Sequence, residues 1–199
     1  MNRKVKLFSL SLFLIVIYYI YINVNPPIEY LDLGDNYKEN RTYHYYDYIT
    51  NYLRKKNKLK NFNNYTSDDY LIEDIYNEIS NSSLKKDLRE AKILTISIGK
   101  NNILYLKGKG KSNKEIKNSI KTNIEELIKE IRKYYKRDIY LLEIENKNTY
   151  QDVTNDINRL YRKEAKRIPK LYYIETNNLL EKGPYEKEIS KRIIKKLEK

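Results

Sequence analysis

The sequence predicts an α/β fold: a three-layer αβα domain built on a five-stranded parallel sheet, preceded by one N-terminal transmembrane helix. Three observations carry this expectation. Short apolar runs alternate with longer segments of 3.6-residue periodicity along the whole chain. The run Ile93 to Ile98 is almost continuously apolar and β-branched, the pattern of a strand buried on both faces. Leu7 to Val24 is an uncharged apolar stretch with Arg3, Lys4 and Lys6 ahead of it.

That stretch, about 18 residues, is just long enough to cross a bilayer as a helix. Basic residues on its amino side belong in the cytoplasm. A cleaved signal peptide would show a shorter apolar core and small residues at the cut. Here the segment ends in the bulky Tyr18, Tyr19, Ile20, Tyr21 and Ile22. The reading is an uncleaved signal anchor; cleavage is the runner-up, and a cytosolic core helix fits less well because the segment is not amphipathic. The divisions are a basic cytoplasmic tail (1–6), the transmembrane anchor (7–24), a stiff Asn-Pro-Pro linker (25–27) and one extracytoplasmic α/β domain (28–199).

Within that domain Ile28–Leu33 reads as a strand that turns out at Gly34-Asp35-Asn36. Tyr45–Lys56 carries Tyr48, Ile49, Tyr52 and Leu53 at helical spacing, and Leu59–Tyr65 is a short second strand. Asp69–Ile79 and Ser83–Glu90 read as helices on either side of a turn. After the central strand, Gly99-Lys100-Asn101-Asn102 reads as a polar turn, and Lys107 to Ser112 as a basic glycine loop without P-loop spacing. Asn113 is placed to cap a helix whose stripe is Ile116, Ile120, Ile124, Leu127, Ile128 and Ile131. Asp138–Ile144 is the fourth strand, Asp152–Ile168 a helix stopped by Pro169, and Leu171–Ile174 the fifth strand. Gly183-Pro184 opens the last helix, with Ile189, Ile193, Ile194 and Leu197 on its apolar face.

The composition bounds the chemistry. The chain has 199 residues, a net charge of +13, no cysteine and one histidine, His44. A disulfide framework and a thiol nucleophile are excluded. No histidine or cysteine pair exists to hold zinc, and the acidic residues show no ligand spacing, so no metal or cofactor is expected. The basic balance attracts anionic polymers or lipid headgroups in a salt-dependent way. No nucleic-acid partner is expected, because no aromatic–basic RNA motif is present.

Four stretches carry a family resemblance. Leu31-Asp32-Leu33-Gly34-Asp35-Asn36 resembles a strand ending Gly-Asp-Ser, and Asn63 to Asp68 resembles an asparagine-led turn that reaches a glycine. Thr95 to Asn102 resembles Gly-x-Asn-Asp behind a buried strand, and Tyr173 to Asn177 with the helix to Leu197 resembles a last strand and helix. Together they are similar to the SGNH (GDSL-type) hydrolases, over about Ile28 to Leu197, and imply a flavodoxin-like sheet. The resemblance implies a serine nucleophile in the first block and a histidine base in a late Asp-x-x-His loop. It also implies an oxyanion hole made of the first-block NH, the second-block glycine NH and the third-block asparagine.

The chain departs from that pattern at nearly every position. Asn36 stands where the serine belongs, and its amide is not a useful nucleophile. Asp68 stands at the glycine position, where a carboxylate repels an oxyanion. Asn101 matches the family's asparagine, and Asn102 replaces the acid after it. No histidine follows His44. The degenerate site positions are therefore Asp35, Asn36, Asp68, Gly99, Asn101 and Asn102, with no catalytic set intact. These residues are expected to converge at the carboxyl edge of the sheet, with the side toward the last helix open and His44 out of reach of Asn36, Ser67 and Ser97.

Three functions follow as expectations. The first is an inactive, membrane-anchored binding or scaffold module at the cell envelope, for glycans or acylated polymers. The second is an esterase or acyltransferase using Ser67 or Ser97, with His44 or a carboxylate as base. The third is a basic module for anionic envelope polymers.

Overall fold

This computed structural model describes residues 10–19, 26–35, 43–80, 82–146, 150–179 and 185–198. Five strands form one sheet: β1 (Ile28–Gly34), β2 (Leu59–Thr66), β3 (Ile93–Ser97), β4 (Ile139–Leu142) and β5 (Leu171–Ile174). Residues 10–19 form helix α1. The others are α2 (Tyr45–Lys55), α3 (Ile72–Glu78), α4 (Ser82–Glu90), α5 (Lys100–Gly108), α6 (Asn113–Tyr134), α7 (Gln151–Arg167) and α8 (Tyr185–Leu197).

The sheet order is β2-β1-β3-β4-β5, and every neighbouring pair is parallel. Strand alternation sorts the core into two layers. Leu31, Leu33, Leu94, Ile96, Ile139, Leu141 and Leu171 face the layer that α3, α4, α5, α6 and α7 cover. Tyr30, Ile93, Tyr140, Leu142 and Ile174 face α2 and α8, through Ile49, Leu53, Ile189 and Ile193. The expected three-layer αβα architecture with a five-stranded parallel sheet is what the chain forms. The predicted stripe of α6 is buried at all six positions, from Ile116 to Ile131.

Several local expectations need correction. The helix expected from Asp69 begins at Ile72: Leu71 is the extended residue before its first turn, and the Asp74 carboxylate accepts the Leu71 backbone N–H at 2.8 Å. Ser112, not Asn113, caps α6, because its hydroxyl and the Glu115 side chain form a reciprocal capping box. Lys100-Asn101-Asn102 opens helix α5 rather than a turn. That helix has weak amphipathicity, with Leu104 and Tyr105 exposed, so periodicity gave no sign of it. Gly108 belongs to its last turn rather than to a loop.

Among the described residues no helix is long and apolar enough to cross a membrane. Helix α1 supplies part of the expected span, and its large apolar side chains from Leu10 to Tyr19 are exposed. Residues 7–9 and 20–24 of that span, together with Asn36 and Gly183-Pro184, lie outside the described residues.

Candidate functional site

The chain leaves β1 toward β2 on one side and leaves β3 toward β4 on the other. The carboxyl ends of β1 and β3 therefore flank a topological switch point, where open α/β sheets place their sites. Two glycines let the backbones meet there. Gly34 has φ +149°, and a Cβ on it would stand 1.7 Å from the Ser97 carbonyl oxygen. Gly99 has φ +111° and caps α5; a Cβ there would meet the Tyr161 hydroxyl at 2.5 Å. Both positions exclude other residues on conformation and space together.

Asp35 ties these ends together. Its backbone N–H donates to the Ser97 carbonyl at 2.7 Å. Its Oδ2 accepts the backbone N–H groups of Gly99 at 2.9 Å and Asn101 at 3.0 Å. Burial pushes its pKa up to about 7, against the pull of the Asn101, Gly99 and Lys100 N–H groups and the Lys100 charge. The aspartate is thus an N-terminal bracket for α5.

Asn101, expected from the sequence to stand at the oxyanion-donor position, faces the turn after β2. Its Nδ2 donates to the Asp68 carbonyl at 2.6 Å and to the Tyr70 carbonyl at 3.0 Å. An amide nitrogen has two hydrogens, so both are engaged. Asn102 is buried; its Oδ1 accepts the Ile72 N–H at 3.0 Å and its Nδ2 donates to Glu73 at 2.8 Å. The two amides therefore lace α5 to the β2–α3 connection. Of the residues singled out in the sequence, Asp35, Gly99 and Asn101 are joined directly and Asp68 through its carbonyl, while Asn102 bonds Ile72 and Glu73 at the head of α3.

The side toward α8 is bounded by β4 and the first turns of α8. A cavity of about 60 Å³ lies there, lined among others by Asp35, Ser97, Lys100, Glu143 and Glu186. Glu186 accepts the Tyr45 backbone N–H at 2.7 Å, which seats the first turn of α8 against α2. Glu143 is engaged by the Thr176 N–H at 2.7 Å, the Asn177 N–H at 2.8 Å and the Tyr173 hydroxyl at 2.7 Å. His44 sits at the head of α2, with its ring stacked on Tyr46 at 5.0 Å. No hydrogen bond joins the His44 ring to Ser67 or Ser97. Among the described residues no group of three or more His, Cys, Asp or Glu is arranged to hold a metal ion.

Sequence reasoning missed a buried polar chain beneath this edge. Asp32 Oδ1 accepts the Tyr45 hydroxyl at 2.7 Å and the Thr95 hydroxyl, and Tyr30 bonds Thr95 at 2.9 Å. Asp32 Oδ2 is buried with no hydrogen-bond partner among the described residues. Burial pushes the Asp32 pKa up to about 7, over the opposing bonds from Thr95 and Tyr45. The signal was present in the sequence: an acid at an inward-facing position of an apolar strand.

No family model matches the chain, and no curated protein matches it in sequence. Solved structures do match. The lipase Lip_vut3 from a goat rumen metagenome superposes with TM-score 0.66 at 13% identity, covering 84% of this chain and 96% of that one. A lipolytic-type protein of the G-D-S-L family from Desulfitobacterium hafniense DCB-2 gives TM-score 0.57 at 11% identity, over 84% and 98% of the two chains. The acetyl xylan esterase AlAXEase gives 0.55 at 15% identity, over 86% and 84%. The parallel sheet, the switch-point site and these neighbours together show that the domain has the SGNH (GDSL-type) hydrolase fold.

Proposed function

We propose that this chain is a membrane-anchored, extracytoplasmic domain of SGNH hydrolase fold that has lost ester hydrolysis and works as a binding module at the cell envelope. The observation that carries the reading is the engagement of Asn101. An oxyanion donor must point an N–H at the place where charge develops, and both hydrogens of this amide close a turn instead. The sequence adds Asn36 at the nucleophile position and a single histidine, which stacks on Tyr46 at the head of α2. The anchor rests on the uncharged run from Leu7 to Val24 behind three basic residues, and on the exposed apolar side chains of α1.

The test uses the full-length chain in detergent, with p-nitrophenyl acetate and a fluorophosphonate probe. Turnover at the level of a boiled control and no serine adduct are expected. An adduct on Ser67 or Ser97, lost on substitution of that serine, overturns the inactive reading in favour of a rebuilt esterase.

A further inference from the structure

The edge strand β5 forms the floor of a cleft of about 610 Å³ between the walls of α7 and α8. Five cations line it: Arg162 and Lys166 from α7, and Arg192, Lys195 and Lys196 from α8. Glu175 is the one acid among the lining residues. It pairs with Arg162 at 2.9 Å, and its backbone carbonyl accepts from Arg192 at 2.6 Å. The tyrosines of the floor are capped by cations: Arg162 lies 5.2 Å from the Tyr173 ring centre, and Lys196 lies 5.0 Å from that of Tyr172. The cleft lies at the flank of the sheet, and none of its lining residues belongs to the switch-point site.

We infer that this cleft binds a phosphate-bearing polymer chain, held by the α7 and α8 cations and resting on Tyr172 and Tyr173. The inference names the ligand class of the binding module proposed above and rests on that reading. Charge sets the sign of the partner, since five cations face one acid. Shape favours a chain, because a flat bilayer cannot enter a trough between two helices. An added peptide strand would find little purchase. The bonds from Ile139 N–H to the Lys170 carbonyl and from Glu143 N–H to the Ile174 carbonyl turn alternate residues of β5 toward β4. The Leu171 N–H is taken by the Ile168 carbonyl, which leaves Tyr173 as the residue of β5 with both backbone groups facing out. Recognition must come from side chains. Guanidinium forks suit phosphate oxygens, and lysines add charge along the run.

The experiment measures binding of long-chain inorganic polyphosphate to the full-length chain in detergent. Two triple variants carry the same change in charge. One is Lys166→Gln, Lys195→Gln, Lys196→Gln in the cleft; the other is Lys109→Gln, Lys114→Gln, Lys121→Gln on α6 and the turn before it. All six lysines are exposed, and matched thermal unfolding confirms that each variant folds. The cleft triple is expected to weaken binding about tenfold or more, and to flatten its salt dependence. The distal triple should change affinity less than about twofold. Equal losses in both triples mean diffuse attraction and overturn the inference. So does undetectable polyphosphate binding, or cleft-dependent binding to phosphatidylglycerol vesicles or poly-glutamate in its place. An esterase-active protein that still binds polyphosphate through the cleft removes the inactive reading and leaves this one standing.

Discussion

The side-chain nitrogen of Asn101 lies 2.6 Å from the backbone carbonyl oxygen of Asp68. Its second hydrogen goes to the Tyr70 carbonyl at 3.0 Å, so the amide staples the turn after β2 to the head of α5. Asn101→Ala leaves two carbonyls without this donor and is expected to cost about 1–3 kcal/mol. Asn101→Asp should cost more, because it sets an acceptor against two acceptors. Denaturant midpoints of the two variants check the order.

On the proposed inactive reading, placing a serine at position 36 should not produce chemistry. Asn36→Ser supplies a hydroxyl, but the one histidine of the chain sits at the head of α2, stacked on Tyr46. An unactivated serine is a poor nucleophile. The variant is expected to take no fluorophosphonate label above the parent protein. Labelling at residue 36 would show that a base is within reach after all.

Gly34 is the least replaceable residue at the sheet edge. A methyl group there would stand 1.7 Å from the Ser97 carbonyl, and backbone cannot move aside as a flexible side chain does. Gly34→Ala is expected to separate β1 from β3 and destabilise by more than about 3 kcal/mol. Thermal unfolding, or loss of soluble yield, reads the effect.

Stability should fall as the pH rises toward neutrality. Burial holds the Asp32 and Asp35 carboxyls at about 7, well above their values in the unfolded chain. Between an ordinary carboxylate pKa of about 4 and the native value, the folded state keeps a proton that the unfolded state has lost. Each group's contribution is therefore full below that range and declines by about 1.4 kcal/mol per pH unit until its native pKa is passed. Asp32→Asn cannot titrate and should flatten this decline. Melting temperatures across pH 4 to 8, for parent and variant, provide the check; parallel curves would count against it.

The anchor reading predicts an exposed domain outside the cytoplasm. The chain has no cysteine, so Lys109→Cys, at an exposed position, introduces a unique thiol. A membrane-impermeant maleimide added to intact cells should label it without lysis. Labelling only after lysis would place the domain on the inner side.

Much of the fold was legible because burial writes itself into periodicity. The strands around Leu31, Leu94 and Leu141 and the stripe of α6 were apparent as apolar patterns, and all of them are buried. Helix α5 was not legible: it is held by the Asp35 bracket and by the two asparagines, through bonds between residues more than twenty-five positions apart. Sequence spacing carries no trace of such partners. The Asp35, Gly99 and Asn101 cluster was visible because glycine and small polar residues interrupt two apolar runs. The engagement of Asn101 was not, because a side-chain donor is chosen by geometry and not by residue type. The Asp32 chain left one mark, an acid inside an apolar strand, but its partners Tyr45 and Thr95 are brought to it by the fold and leave none in the spacing.

The position of β1 has a mechanical consequence. It is bonded on one side to β2, from Ile28↔Leu59 to Gly34↔Thr66, and on the other to β3, from Tyr30↔Ile93 to Gly34↔Ser97. Any tension on the chain ahead of Ile28 is delivered straight to this interior strand rather than to a rim of the sheet. For a pull directed along β1, the hydrogen bonds of both ladders are loaded in shear and must rupture together rather than unzip one at a time. Were the chain held ahead of Ile28, the sheet would keep its shape until the force sufficed to draw out an interior strand with both of its ladders.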